Sequence, residues 1–263
     1  MNFFKNVFAT VVGIFLFMLL SFFLLIGLGA LLGSGEDKVK LKDNSVIQLD
    51  LAKINFDYAG KYESDSPFSS LMMSKDKVGF IEVLKAIDAA KTDDKIKGIT
   101  IVNNQSGLGL AQSKELRDKL EDFKKSKKFV YAYANIFSQK EYYISSIADQ
   151  VYLNPAGEVD FKGLGTEMLF FKNFQDQTGL KMEIIRHGKF KSAVEPYLAQ
   201  EISPENREQV TVLLQSVWKT IVTDIAKNRN ISVAQLNTIA DGLLARTPQM
   251  ALQQKLVDKV AYE

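Results

Sequence analysis

The run HGKFKSAVEPY, residues 187–197, sets two lysines beside a serine, a glutamate and a proline at what reads as a strand-to-helix corner. A lysine amine acts as a general base only after losing its proton, and in water it holds that proton up to about pH 10.4. Keeping it neutral at pH 7 requires a fold that disfavours the charged form by about 4 kcal/mol, which burial in an apolar pocket can supply. Phe190, Ala193, Val194 and Tyr197 are the residue types that would desolvate Lys191, whereas Lys189 is expected to stay in water. Against this stands the ordinary fate of a lysine, a solvated surface charge.

A base needs a nucleophile, and the sequence offers two hydroxyls. Ser192 is adjacent to Lys191, and adjacent side chains point apart on a helix or a strand, so a dyad between them is not expected. Ser106 lies in NNQSGLG after the strand-like KIKGITIV, where a parallel-sheet protein carries functional loops, but its flanks do not form a G-x-S-x-G elbow and a polar turn is the simpler reading. Ser192 either orients the amine or caps a helix. Glu195 is expected to sit in water before Pro196, Arg186 and His187 to end a strand, and Tyr142 and Tyr143 to pack on the sheet.

Other chemistries are excluded by composition. The chain contains no cysteine, so thiol nucleophiles, thiolate metal sites and disulfides are absent together, and a single histidine, His187, cannot build a His-rich metal centre. No metal or other cofactor is expected. A net charge of +2 leaves no electrostatic footprint for nucleic acid.

The elements that must position these residues alternate. SVIQLDL reads as a strand, VGFIEVLKAIDAAK as a helix with Phe80, Val83, Leu84 and Ile87 on one face, and KIKGITIVNN as a strand. LAQSKELRDKLEDFKKSKK follows as a charged helix with apolar positions Leu110, Leu116, Leu120 and Phe123, then FVYAYAN, QKEYYISSIA and QVYLN as strand, helix and strand. Such alternation implies right-handed crossovers and a mainly parallel sheet covered by helices. KMEIIRHG, residues 181–188, reads as a further strand leading into the lysine corner. Beyond it Ser203 is a good helix N-cap with Pro204 in the first turn, and Val210, Leu213, Leu214, Val217, Ile221 and Ile225 form one apolar stripe. Two shorter helical patterns and the strand-like VDKVAYE complete the chain.

The expected organisation is a flank at 1–6, a transmembrane anchor at 7–33, a polar linker at 34–44 and one domain at 45–263. Residues 7–33 carry no charge over 27 positions, more than the ~20 a helix needs to cross a bilayer and longer than a signal-peptide core of about 7–15. An uncleaved, single-pass anchor is therefore expected. Lys5 on one side against Lys38, Lys40 and Lys42 on the other would by count favour a cytoplasmic domain, although long domains translocate regardless of such charges.

The segment GKFKSAVEP followed by SPENR resembles the lysine-bearing motif of the signal peptide peptidase family, protease IV of the SppA type. KIKGITI, YYISSIADQVYLNPAGEVDFKGLG and KNRNIS agree with that family in order and spacing. The resemblance is to the N-terminal half of the long tandem form. It implies an α/β, crotonase-like (ClpP-related) domain and a serine peptidase of the Ser-Lys dyad class that degrades signal peptides after secretion. Lys191 occupies the general-base position, and the position of the family's nucleophile falls near Leu108, which has no hydroxyl. The serine is thus expected from a second, C-terminal half or subunit, and this chain alone is expected to be inactive. Either the chain is the front half of a longer protein, which is the expectation, or it is a truncated product that docks on a serine-bearing subunit. The resemblance further implies cleaved signal peptides as substrates, a homo-oligomer, and a location at the bacterial cytoplasmic (inner) membrane with the domain on the extracytoplasmic side. The competing reading is a non-catalytic, membrane-tethered scaffold domain of the same fold.

Overall fold

A computed structural model describes residues 2–33, 41–54, 57–58, 78–103, 105–185, 187–188 and 190–263. The chain divides into two compact units, residues 1–42 and 43–263. The first contains the helix α1 (Asn2–Gly33), whose stretch Phe3–Leu28 has a mean hydropathy of 2.9 and is long and apolar enough to cross a membrane. None of its apolar side chains is buried by protein within that stretch, and the helix fits a membrane anchor or a signal sequence.

The second unit is built on a five-stranded sheet in the order β1 (Ser45–Asp50), β2 (Ile96–Asn103), β3 (Phe129–Phe137), β4 (Gln150–Val159) and β5 (Lys259–Val260), every pair parallel. Parallel neighbours need crossovers, and helices supply them: α2 (Phe80–Thr92), α3 (Leu110–Lys124) and α4 (Gln139–Ser145) connect the first four strands. Ile99 and Ile101 on β2, Val130, Ala132 and Ala134 on β3 and Val151 and Leu153 on β4 join one buried core with the helical residues Phe80, Leu116, Leu120 and Phe123. The alternate positions Tyr131, Tyr133 and Tyr152 remain partly open, so one face of the sheet is far better covered than the other. Period-two side chains make this possible, since each strand delivers a core residue and a surface residue in turn. Of the expected apolar positions on α3, Leu110 is half exposed because it opens the helix before the helix reaches the core.

Near their C-terminal ends β3 and β4 lose register between Ala134 and Ile136, and there a Cβ at Gly157 would lie 2.0 Å from the carbonyl of Asn135. Only glycine permits that approach.

After β4 the chain leaves the sheet as an arm containing the short helix α5 (Lys172–Thr178), a 3-10 turn at Ser192–Val194 and the single-turn helix α6 (Glu195–Leu198). It returns through the long α7 (Pro204–Arg229), then α8 (Val233–Asp241) and α9 (Pro248–Gln253). Ser203 caps α7, accepting from the Asn206 N–H, with Pro204 in the first turn as the sequence leads one to expect. The apolar stripe on α7 is buried only in its C-terminal half. Ile221, Val222 and Ile225 are in the core, while Leu213 is 62% exposed.

The segment 181–188 is not a strand among its described residues. Its described residues pair with none of the five strands, and Ile185 is fully exposed, so the β-branched alternation makes no strand there.

Candidate functional site

Two places bear on the chemistry: the loop Gln105–Gly109 after β2, and the turn Lys191–Leu198 on the arm. The loop lies at the C-terminal end of the strands, where parallel sheets expose their functional groups. Its polar groups are consumed internally. The Ser106 N–H donates to Glu141 Oε1 at 2.6 Å, the Leu108 N–H to Ser106 Oγ at 3.2 Å and the Gly109 N–H to Gln112 Oε1 at 2.9 Å. Lys140 Nζ in turn donates to the carbonyls of Ser106 and Leu108, at 2.9 and 2.6 Å. Ser106 is the polar turn residue that its flanks suggest, its hydroxyl turned back onto the loop.

Local sequence explains why α4 can do this. Ser138 caps α4 and Glu141 is its partner in a capping box, so Glu141 Oε2 accepts the Ser138 N–H while Oε1 reaches the loop. Glu141 is buried, and Leu108 beside it is 1% exposed. Leu108, near which the resemblance leads one to expect the nucleophile position, is therefore a core leucine. Tyr142 and Tyr143 pack into the core as expected, their hydroxyls donating to the Leu256 carbonyl at 2.8 Å and to Asp224 Oδ2 at 2.6 Å. Burial pushes both phenols well above the usual tyrosine range.

The turn is different. Lys191 is exposed, as are Phe190 and Ala193, while Val194 and Tyr197 are half-buried, so the described residues do not enclose the amine in the expected apolar pocket. Lys191 precedes the 3-10 turn, and Ser192 is its first residue and not its cap. His187 is exposed, whereas Arg186 and Lys189 lie outside the described residues.

The correction concerns Glu195. It is 2% exposed, not in water, and its carboxylate accepts from the Ser203 N–H at 3.4 Å, from the Ser203 hydroxyl and from Asn206 Nδ2 at 2.8 Å. Asn206 is buried with it. A carboxylate at the start of a 26-residue helix also meets the positive end of the helix dipole. From the other side the Phe171 N–H donates to the Pro196 carbonyl at 2.6 Å, Gln175 Nε2 donates to the Tyr197 carbonyl at 2.8 Å, and the Phe171 and Tyr197 rings stack at 5.6 Å.

A second residue that sequence reasoning missed is Arg117 on α3, 1% exposed. Its guanidinium donates to the carbonyls of Tyr143 and Asp224, to Ser146 Oγ and to Asn228 Oδ1, tying the C-terminal half of α7 to α3 and the end of α4. Burial holds its pKa below the usual guanidinium value. In the sequence it sits in a run of charges that reads as a solvent face.

The arm exposes the large apolar side chains of Leu169, Phe174, Leu180, Met182, Ile185 and Phe190. No group of His, Cys, Asp or Glu among the described residues is arranged to hold a metal ion.

A parallel sheet with one loop pinned at its strand ends and a lysine presented on an arm beyond it defines an α/β protein with a candidate catalytic turn outside its core. The chain belongs to peptidase family S49, whose model matches residues 122–263, more than half of the chain and all of the lysine turn; the fold is crotonase-like and related to ClpP. It is 38% identical over 156 residues to Protease 4 of Haemophilus influenzae, which covers 59% of this chain and 25% of that protein. It is 34% identical over 188 residues to Protease 4 of Salmonella typhi, with 68% and 30% covered, and 30% identical over 129 residues to the chloroplastic serine protease SPPA of Arabidopsis thaliana, with 49% and 19% covered. The chain thus spans between about a fifth and a third of the length of these curated relatives.

Proposed function

We propose that this chain is the lysine-bearing part of a membrane-anchored Ser-Lys peptidase, with Lys191 as general base. The observation that carries the reading is the contrast within the site. Lys191 stands exposed on a turn held from two sides, while the loop matched to a nucleophile presents a buried leucine whose neighbouring amides are already engaged. The serine then comes from a second unit of the same family, and the apolar arm around Lys191 is the surface that receives it. Covering that surface removes water from the amine and favours its neutral form.

In the reaction Lys191 Nζ takes the proton from the serine hydroxyl as the oxygen attacks a peptide carbonyl. The C–N bond breaks, the proton passes to the leaving amine, and water hydrolyses the resulting ester. Residues 7–33 anchor the domain to the bacterial cytoplasmic membrane, on its extracytoplasmic side, which suits apolar substrates such as signal peptides left after secretion. Assembly into a homo-oligomer encloses the site.

The test uses the full-length protein. Lys191→Ala abolishes peptide hydrolysis while leaving the thermal unfolding midpoint in place, and a fluorophosphonate labels the serine of the complete protein but not this chain by itself. Hydrolysis at the wild-type rate by Lys191→Ala refutes the assignment. A second reading, a non-catalytic scaffold, is favoured by the leucine at position 108, and it predicts no fluorophosphonate labelling even of the complete protein.

A further inference from the structure

The structure points to Glu195 as a positioning residue for Lys191, tying the lysine turn to the N-terminus of α7; we infer that the turn cannot hold the amine in place without it. The inference rests on the proposed role of Lys191 and concerns how the amine is held.

The turn is too short to be rigid by itself. A 3-10 turn of three residues and a helix of four contribute few internal bonds, among them Glu195 N–H to the Ser192 carbonyl and Ala199 N–H to the Glu195 carbonyl at 2.9 Å. Segments of that length do not persist unaided, because nucleation costs more than so few bonds return. Their geometry has to be imposed from outside.

Among the described residues two supports impose it, and they are unequal. The α5 side contributes the Phe171–Tyr197 stack and two bonds to turn carbonyls, but α5 itself lies on the arm and exposes Phe174. The α7 side is connected to the core. Ile221, Val222 and Ile225 are buried, and Arg117 bonds to Asp224 and Asn228, so the helix is a rigid rod fixed at its far end. Glu195 joins the turn to the near end of that rod. At least three donors, the Ser203 N–H, the Ser203 hydroxyl and Asn206 Nδ2, converge on its two oxygens in a buried setting. Ser203 serves both partners: its oxygen accepts the Asn206 N–H as the cap of α7 and its proton goes to Glu195. The lysine turn and the start of α7 are therefore one hydrogen-bonded unit.

This arrangement explains why glutamate is needed and why glutamine is a sharp probe. A glutamine side chain keeps the shape, and the Ser203 hydroxyl can turn to accept from its N–H₂ group, but the charge-assisted bonds become neutral ones of about half the strength. The turn is then held less firmly, and a displacement of about 1 Å at a reacting group lowers turnover by about 100-fold.

The experiment compares Glu195→Gln, Ser203→Ala, the double variant and Lys191→Ala in the full-length protein, with an apolar fluorogenic peptide as substrate. Glu195→Gln is expected to lower kcat by about 30-fold with KM within about twofold, and to slow fluorophosphonate labelling of the serine in parallel. Ser203→Ala is expected to lower kcat less, and the double variant to resemble Glu195→Gln, because both substitutions break one unit. Hydrogen exchange is expected to speed up at residues 195–199 and not at 221–229. Wild-type kcat in Glu195→Gln overturns the inference, as does multiplicative loss in the double variant or a loss of kcat matched by loosening of the whole of α7. Lys191→Ala separates the two levels. If it is inactive while Glu195→Gln is unimpaired, only the positioning role falls; if it is active, the reading of Lys191 falls and takes this inference with it.

Discussion

The loop Gln105–Gly109 and the turn Lys191–Leu198 are both short irregular segments carrying polar groups, yet they are held in opposite ways. In the loop, backbone donors and acceptors are engaged by Glu141, Gln112 and Lys140, and the one large apolar side chain, Leu108, is in the core. In the turn the buried polar group is Glu195, and the residue of chemical interest, Lys191, is left outside. One segment has been closed on itself; the other is braced from behind and open in front. A surface that is rigid and unfinished is what a contribution to a shared site requires, because ordering costs are then met by the fold before the partner arrives.

Leu108 is where the two segments differ most. Leu108→Ser is expected to destabilise the domain by about 4 kcal/mol, from lost burial and an added polar group, without making the chain react with a fluorophosphonate. Urea denaturation and active-site labelling check both halves, and labelling of that variant would mean that the loop is not closed. Glu141→Ala comes next, with a loss of about 3 kcal/mol, since the amides of Ser106 and Ser138 lose a carboxylate acceptor in a buried setting. Its expected signature is faster hydrogen exchange at residues 105–109.

On the other side, Phe171→Ala removes the stack on Tyr197 and is expected to cost only about 1 kcal/mol globally. It should expose residues 187–200 to limited proteolysis while leaving the loop unaffected. The smallest effect at neutral pH is that of Tyr142→Phe, about 1 kcal/mol for the hydrogen bond to Leu256. Its value lies at high pH. Burial raises the Tyr142 phenol above its unfolded value of about 10, so its contribution is complete below pH 10 and is lost as pH rises further, while the unfolded chain ionises and the folded one does not. Stability should fall by about 1.4 kcal/mol per pH unit for this group in that window, and the phenylalanine variant should show a shallower fall in denaturant titrations.

Much of the fold was legible. Alternating strand and helix periods gave the parallel sheet, the Ser203-Pro204 pair gave the start of α7, and the faces of α2 and α3 were readable except at Leu110, where the helix begins. The arm was not. KMEIIRHG carries β-propensity but no neighbouring strand reaches it, and propensity without pairing does not make a sheet. Glu195 and Arg117 were misread or missed for one reason: charged residues are assigned to water by type, and their burial depends on donors and acceptors that arrive from 8 to 111 residues away.

The amino-acid sequence by itself determined the apolar N-terminal helix, the order of strands and helices up to β4, and the presence of a lysine in a recognisable motif, because these depend on composition and on periodicities within about twenty residues. Only the tertiary structure decided that Leu108 is core, that Glu195 faces α7 and that Lys191 stands exposed. Each of those depends on which distant polar groups converge at a point, and convergence is a property of packing that no local pattern encodes.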